Sequence, residues 1–430
     1  MIANIAITGG NLMDKLPQQR ELGHIETVMA MTHRELRGTT QIAHLIHLRG
    51  QIDYTQLQEA ANILFDQFAI LRCTIMESDG AFHFMETLTF DRIPIRQISI
   101  GDSSCWRVIL DDEADAPLIQ TEALWRLTLI TSSVGDDTRL VVVGHHAIAD
   151  WTGLEVLFTQ LLFILDRTIS GEQMEVVHHD IHPPVDDFLR HPMEAVPAPA
   201  SRGQIKFVRP APLACRKTRG QGAMLDAVQY ARLQQRCAQE NVKLHSLLSA
   251  ALCQSAYILG LVESPVPVWT PVSLRVFGEL RRKSEPDLSC YISVADTPVD
   301  VTSGDIWSIA RQYEMDLFRY TRHYCLRRKK IDARALVAQV HAIRDSQAFL
   351  QGFSITNVGD TVLPVCRNFT IEDYVTRVNR LAGNFAASVQ VDVFKQNLRF
   401  TFVYPEPLWD EYTVTGLCQS FIDQLTSVCV

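Results

Sequence analysis

The sequence contains no uninterrupted apolar stretch near the roughly 18 residues that a membrane-spanning helix needs. No secretory leader is expected: the first ten residues are apolar, but they carry no basic segment and run into Asn11, Asp14 and Lys15. The ten cysteines are scattered from Cys73 to Cys429 with no C-x-x-C pair, and the thiols are read as reduced. Cytoplasmic location is the expectation. An excess of basic charge is missing as well, with 40 Lys and Arg against 49 Asp and Glu and a formal net charge of −9. Binding to nucleic acid releases counterions from a basic surface, so a general polyanion binder is excluded. A phosphate-cradling loop is absent too, because Gly220-Gln221-Gly222 lacks the rest of either glycine-rich fingerprint.

What is present is enough apolar material, 47% of 430 residues, for a sizeable core. Single cores stop growing near roughly 250 to 300 residues, so two lobes are expected. Residues 45–80 give alternating "LIHLRG", a turn at Gly50, Asp53 as a helix cap, the helix "YTQLQEAANILFDQF" and the strand "ILRCTIME". Two β-rich segments, "LWRLTLITSS" and "TRLVVVGHH", flank a hairpin signal at Gly135-Asp136-Asp137. The helical spacing of "LEVLFTQLLFILDR" then puts residues 145–153 on the loop between a buried strand and a helix. Prolines 183, 184, 192, 197, 199, 210 and 212 mark a connection, which divides the chain into an N-terminal lobe (1–175), a connection (176–217) and a C-terminal lobe (218–430). The second lobe reads as a helix over 225–240, a break at Asn241 and the helix "LHSLLSAALCQSAYIL". The strand "PVPVWTPVSLR", the segment "SCYISVADTPVDV", a helix over Ile306–Tyr320, the motif "GFSITNVGD", strands in "NFAASVQVDVF" and "NLRFTFVY" and a helix over 414–425 follow. Helices alternating with long β segments make the class α/β.

The run His145-His146-Ala147-Ile148-Ala149-Asp150 places titratable bases and a carboxylate on one short loop. A neutral imidazole, with an ordinary pKa of about 6.5, takes a proton from an attacking hydroxyl or amine near pH 7. Side chains leaving a strand diverge, so one histidine faces a cavity while the other turns inward to the backbone. His146 is expected to act as base and His145 to support it. Asp150 either orients an imidazole or pairs with a distant arginine to hold the loop, and the second is preferred. With 14 histidines in the chain, a chance H-H-x-x-x-D has a probability of roughly a few per cent. No metal is expected: zinc sites of the H-E-x-x-H kind want a helix, and His178, His179, Asp180 and His182 lie in the proline-rich connection. Cys105, Cys290 and Cys366 have no sequence-local base and read as structural thiols. The basic groups Arg322, His323, Arg327, Arg328, Lys329, Lys330 and Arg281, Arg282, Lys283 are either solvated faces or a landing site for the phosphates of coenzyme A or an acidic carrier protein.

The order of these segments resembles the condensation domains of nonribosomal peptide synthetases and their free-standing relatives, the polyketide-associated and alcohol acyltransferases. "HIETVMAMTH" resembles the opening helix, "IHLRGQIDYTQLQEAANILFDQFAILRCTIME" the following helix and strand, and "LVVVGHHAIAD" the H-H-x-x-x-D-G motif. "CAQENVKLHSLLSAALCQSAYIL", "TPVSLR", "TNVG" at 356–359 and "LRFTFVYPEPLWDEYTV" are similar to later segments in the same order. The resemblance implies two chloramphenicol-acetyltransferase-like lobes in a V with an interlobe tunnel. A carrier-protein or coenzyme A thioester enters one mouth and a small-molecule alcohol or amine the other. His146 stands at the middle, attack is direct with no acyl-enzyme, no cofactor is permanently bound, and the protein is a monomer. It further implies Arg275 as partner of Asp150, and Thr356 and Asn357 as donors to a developing oxyanion, although Asn-x-Gly also favours a plain turn. Two departures stand out: Trp151 replaces the glycine after Asp150, with Gly153 two residues on, and the plant-type D-F-G-W-G segment is missing. Trp151 either narrows the tunnel or packs as core. With no carrier or adenylation segment flanking the lobes, a free-standing acyltransferase forming an ester or amide in natural-product biosynthesis is expected. A thioester hydrolase and a non-catalytic recruitment domain on the same fold are the alternatives.

Overall fold

The run Leu140-Val141-Val142-Val143 is apolar without alternation because both of its faces are buried. A computed structural model of the protein describes residues 17–101, 105–132, 137–189, 191–193, 202–282, 287–346 and 352–429. The turn at Gly135-Asp136, Pro197, Pro199, Lys283 and the first ten residues lie outside these. In chain order the first half forms β1 (Gln19–Glu21), α1 (His24–Glu35), β2 (Ile42–Arg49), α2 (Tyr54–Gln67), β3 (Cys73–Ser78), β4 (Ala81–Glu86), β5 (Ile95–Ile100), α3 (Trp106–Asp115), β6 (Trp125–Ser132), β7 (Asp137–Gly144) and α4 (Trp151–Ile169). The second half forms β8 (Lys217–Leu225), α5 (Ala227–Glu240), α6 (Leu244–Ile258), β9 (Val268–Ser273), β10 (Ile292–Asp296), α7 (Ile306–Tyr320), α8 (Ala333–Asp345), β11 (Phe353–Asp360), β12 (Thr370–Val378), β13 (Ala387–Phe394), β14 (Asn397–Glu406) and α9 (Glu411–Ser427).

The fold is mixed α/β. A five-stranded sheet of order β12-β2-β7-β6-β5 is antiparallel except for the pair β6-β5 at its edge, a six-stranded sheet of order β10-β9-β11-β13-β14-β8 is antiparallel except for β9-β11 and β11-β13, and β1-β4-β3 forms a small third sheet. Leu140 and Val142 of β7 pack with Ile25 and Met29 of α1, Leu57 and Leu64 of α2 and Leu157 and Phe158 of α4. Val141 and Val143 meet Leu110 and Ala114 of α3 on the opposite face. In the second lobe Leu248, Leu252, Ile309 and Phe421 cover Ile355, Val389 and Phe402 of the larger sheet. Aspartates 53, 150, 226, 305, 332 and 410 each cap a helix by accepting a first-turn N–H. Such a cap contributes about 1 kcal/mol.

The division by chain order is crossed by β12. This strand, from the second half, runs antiparallel to β2 from Thr370 opposite Arg49 to Val378 opposite Ile42, so residues 370–378 complete the first lobe's sheet. Its charged sequence, "TIEDYVTRV", carries no clean alternation, so the sequence pattern does not mark it as a strand. Behind it the chain is stitched down by Asn379, whose N–H donates to Gln41 O at 2.8 Å and whose Nδ2 donates to Ala114 O at 3.0 Å. The segment "ILRCTIME" also divides, into a 3-10 turn at Ala69–Arg72 followed by β3. Helices α3 and α8 are additions to the elements expected from sequence.

Candidate active site

Strand β7 ends at Gly144, where a Cβ would come within 3.0 Å of Leu154 Cδ2, so the helix α4 packs directly on the strand end. The next residue, His145, is fully buried. Its N–H donates to Leu124 O at 2.8 Å, its Nδ1 accepts from the Ala147 N–H at 3.0 Å, and its ring lies 4.3 Å from that of His33. An accepting Nδ1 places the proton of the neutral ring on Nε2. Burial, with the charges of His33 and His146 acting the same way, holds its pKa well below 6.5. It is a neutral structural histidine that shapes the loop.

His146 points the other way, its half-buried ring lining a cavity. Its Nδ1 lies 3.8 Å from the Sγ of Cys290. Burial lowers its pKa, and Arg380 adds to this, while backbone carbonyls and Asp150 oppose it. The imidazole is therefore neutral at pH 7 and able to take a proton. The Cys290 thiol, 0% exposed, is pushed well above its ordinary pKa by burial and stays protonated.

Asp150 is the N-cap of α4 and bonds across to the second lobe. One carboxylate oxygen accepts from the Gly153 N–H at 2.9 Å and from Arg275 Nη2 at 3.0 Å. The other accepts from Arg275 Nε at 3.2 Å and from the Tyr291 N–H at 3.0 Å. Its own N–H donates to Ser289 O at 3.0 Å. With four bonds accepted, the carboxylate is fully occupied in joining the motif loop to the second lobe. Arg275 lies just past the end of β9, in a 3-10 turn over Leu274–Val276, and is shared with Asp287 and with Ser289 O at 2.9 Å. Gly153 supplies the clearance that this docking needs: a Cβ there would stand 2.9 Å from Ala149 Cβ and 3.3 Å from the Ser289 backbone.

The cavity is about 220 Å³ and is lined from both lobes. The first contributes Ile25, Met29, His146 and Trp151; the second contributes Trp269, Val294, Thr356 and Gln390. Strand alternation divides the segment "TNVG": Ser354, Thr356 and Val358 line the cavity. Asn357 is not among the lining residues, and its Oδ1 accepts from the Gly359 N–H at 3.1 Å across a bulge in the pairing of β11 with β13. Trp151 both walls the cavity and packs, with its ring 4.9 Å from His44 and 6.4 Å from Tyr374.

The other sequence candidates separate. His178 Nδ1 is 2.9 Å from Asp66 O, His179 stacks on Phe68 at 4.8 Å, and Asp180 accepts from Gln18 Nε2 at 2.7 Å. Among the described residues no group of three or more His, Cys, Asp or Glu is placed to hold a metal. Among them also, no helix is long and apolar enough to cross a membrane. Cys105 is exposed and Cys366 half-buried. In the basic segment after α7, Arg322, His323, Arg328 and Lys330 are exposed, whereas Lys329 turns inward and donates to Ser293 Oγ at 3.0 Å. Arg328, Lys329 and Lys330 border a surface groove of about 1130 Å³. A narrow gap of about 20 Å³ shares His24, Asp186 and Lys329 with that groove and Ile25 and Ile292 with the cavity. The groove, the gap and the cavity thus lie next to one another, and the groove is of mixed charge, with Glu21, Asp186 and Asp187 beside Arg20, Arg328, Lys329 and Lys330. Sequence reasoning misses Arg380 altogether: it lies in the segment that follows β12, lines the cavity, and belongs to no motif.

No protein-family model matches the chain. Among curated proteins it is 30% identical over 128 residues to the cyclosporin synthetase simA of Tolypocladium inflatum, which is 29% of this chain and 1% of that protein. It is 28% identical over 118 residues, 27% of the chain, to the nonribosomal peptide synthetase dtxS1 of Metarhizium robertsii, again 1% of the relative. The chain therefore spans a small part of the curated relatives it matches. Among solved structures, trichothecene 15-O-acetyltransferase TRI3 from Fusarium sporotrichioides aligns with a TM-score of 0.70 at 12% identity, covering 95% of both chains. The starter condensation domain of rhizomide synthetase RzmA, solved as a point mutant in complex with C8-CoA, aligns at 0.69 and 13% identity over 96% of this chain and 95% of that one. Polyketide synthase associated protein 5 from Mycobacterium tuberculosis aligns at 0.66 and 17% identity, over 95% and 98%.

Proposed function

We propose that this chain, which has the fold of condensation domains and chloramphenicol-acetyltransferase-like acyltransferases, moves an acyl group from a thioester to a hydroxyl or amine with His146 as general base. The observation that carries the proposal is the neutral His146, held at a cavity walled by both lobes. Nδ1 faces Cys290, so Nε2 is the nitrogen assigned to the reaction. It takes the proton of the acceptor as the acceptor oxygen or nitrogen attacks the thioester carbonyl. The tetrahedral oxyanion accepts a hydrogen bond from the hydroxyl of Thr356. Collapse expels the thiolate, which recovers the proton from His146, so the ring ends as it began. Cys290 remains a thiol and forms no acyl-enzyme. Asp150 takes no proton, because its lone pairs are committed to Arg275, Gly153 and Tyr291.

The donor is a coenzyme A or carrier-protein thioester whose phosphates or acidic face meet Arg328 and Lys330. TRI3 is an O-acetyltransferase and the RzmA domain was solved with C8-CoA, and both support such a donor. The expected product is an ester or amide in natural-product biosynthesis. The test is to incubate the protein with acyl-CoA thioesters of two to eight carbons, with and without a panel of small alcohols and amines, and to follow free thiol. Release that requires an acceptor supports transfer. Release without one assigns hydrolysis instead, and no release with any pair overturns the proposal.

A further inference from the structure

Among the described residues, the buried arginines other than Arg380 donate to carboxylates or backbone carbonyls. Arg72 donates to Glu86 at 2.7 Å, Arg139 to Asp137 at 2.6 Å and Arg377 to Asp111 at 3.2 Å, and Arg216 donates to three backbone carbonyls between 2.7 and 3.0 Å. Arg380 is 2% exposed and makes no ion pair among the described residues. Its Nε has no hydrogen-bond partner, and its guanidinium lies over the Phe385 ring at 4.3 Å. Room for it is provided by Gly383, at φ +124, where a Cβ would come within 3.2 Å of Nη2. Burial lowers its pKa to about 9, which leaves it protonated at pH 7.

A buried, unpaired cation is costly, and an anion arriving beside it offsets that cost. The described residues supply none. The two carboxylates that line the cavity are already engaged, Asp150 with Arg275 and Asp392 with Arg399 Nε at 2.7 Å. What the cavity offers to an occupant is mostly apolar wall, a neutral imidazole and one free guanidinium, whose planar fork matches a carboxylate.

We propose that the substrate reaching His146 carries a carboxylate and that Arg380 receives it. The acid group and the reacting group share one cavity of about 220 Å³, so the occupant is compact. It is either a hydroxy or amino acid acting as acceptor, or the thioester of a dicarboxylic acid acting as donor. Only the word substrate rests on the acyl-transfer proposal; the binding of a carboxylate does not.

The experiment measures equilibrium binding by calorimetry on His146→Ala protein, so that no turnover intervenes. Two probe pairs are compared, 3-hydroxybutyrate with 3-hydroxybutyramide and succinyl-CoA with butyryl-CoA. The acidic member of one pair should bind at least about tenfold tighter, and adding Arg380→Met should remove that preference while the neutral member binds as before. Preference in the first pair identifies the acceptor as the acid, and in the second the donor. Equal binding within both pairs, or a preference that survives Arg380→Met, overturns the proposal. Arg380→Met should melt no lower than its parent, because it removes an uncompensated charge. Should it fail to fold, Arg380→Lys must keep the preference, and its loss there overturns the proposal. Carboxylate preference without any thiol release in the transfer assay would leave this inference standing and remove the acyl-transfer reading alone.

Discussion

Replacing Asp150 by Ala tests whether the motif aspartate joins the lobes or acts in the chemistry. The substitution uncaps α4, strands the buried Tyr291 N–H and takes one of two carboxylates from Arg275. A lost cap costs about 1 kcal/mol and a stranded N–H about 1 to 3 kcal/mol. Breaking a buried ion pair costs about 3 to 5 kcal/mol when the survivor is left alone, and less here because Arg275 keeps Asp287. Together these give about 4 kcal/mol, or a fall in Tm of roughly 10 °C for a cooperative unit the size of one lobe. Arg275→Met in the same background should cost about 1 to 2 kcal/mol less than it does alone, since it then removes a partly orphaned charge. Thermal and urea unfolding of the two single variants and the double variant measure the coupling. Additive losses would refute the pairing. An Asp150→Ala protein melting within about 2 °C of the parent yet inactive would refute the structural role.

Further outcomes are expected. Because burial holds the His146 pKa below 6.5, the acid limb of kcat/KM should be centred below pH 6.5; an acid limb centred above pH 7 would contradict this. Stability should show the related effect: His33, His44 and His245 have folded pKa values of about 4, 3 and 4, below their unfolded value of about 6.5. As pH falls from 6.5 toward 4 the unfolded chain binds protons first, and each histidine subtracts about 1.4 kcal/mol per pH unit, so urea midpoints that do not move between pH 7 and 5 would exclude it. Gly153→Ala should lose about 1 to 3 kcal/mol by pushing α4 off the Ser289 backbone, read as a lowered Tm. Thr356→Val should lower kcat about 10- to 100-fold with little change in KM, and an unchanged kcat would remove its hydroxyl from the oxyanion.

The parts of the site legible in the sequence are those where a local pattern forces geometry. A two-face-buried strand ending in Gly144, followed by a capped amphipathic helix, places the histidine pair on a strand-to-helix loop, and divergence of adjacent side chains separates His146 from His145. Strand alternation also separates Thr356 from Asn357, against the expectation that they work together. Arg275 follows only from resemblance, because its distance of 125 residues from Asp150 leaves no local trace. What is not legible depends on which strands become neighbours. The crossing of β12 into the first sheet is a choice among sheet edges, and its charged sequence hides even the strand. Arg380, delivered to the cavity by that crossing, is invisible for the same reason, and so is the contact of Cys290 with His146.

The central claim is that the imidazole of His146 removes the acceptor's proton. Its most direct test is the single-turnover rate of acyl transfer in His146→Ala against the parent, at saturating thioester and acceptor, with both proteins shown to melt at the same temperature. The account predicts a fall of roughly 100- to 10,000-fold. A rate within about threefold of the parent would contradict it.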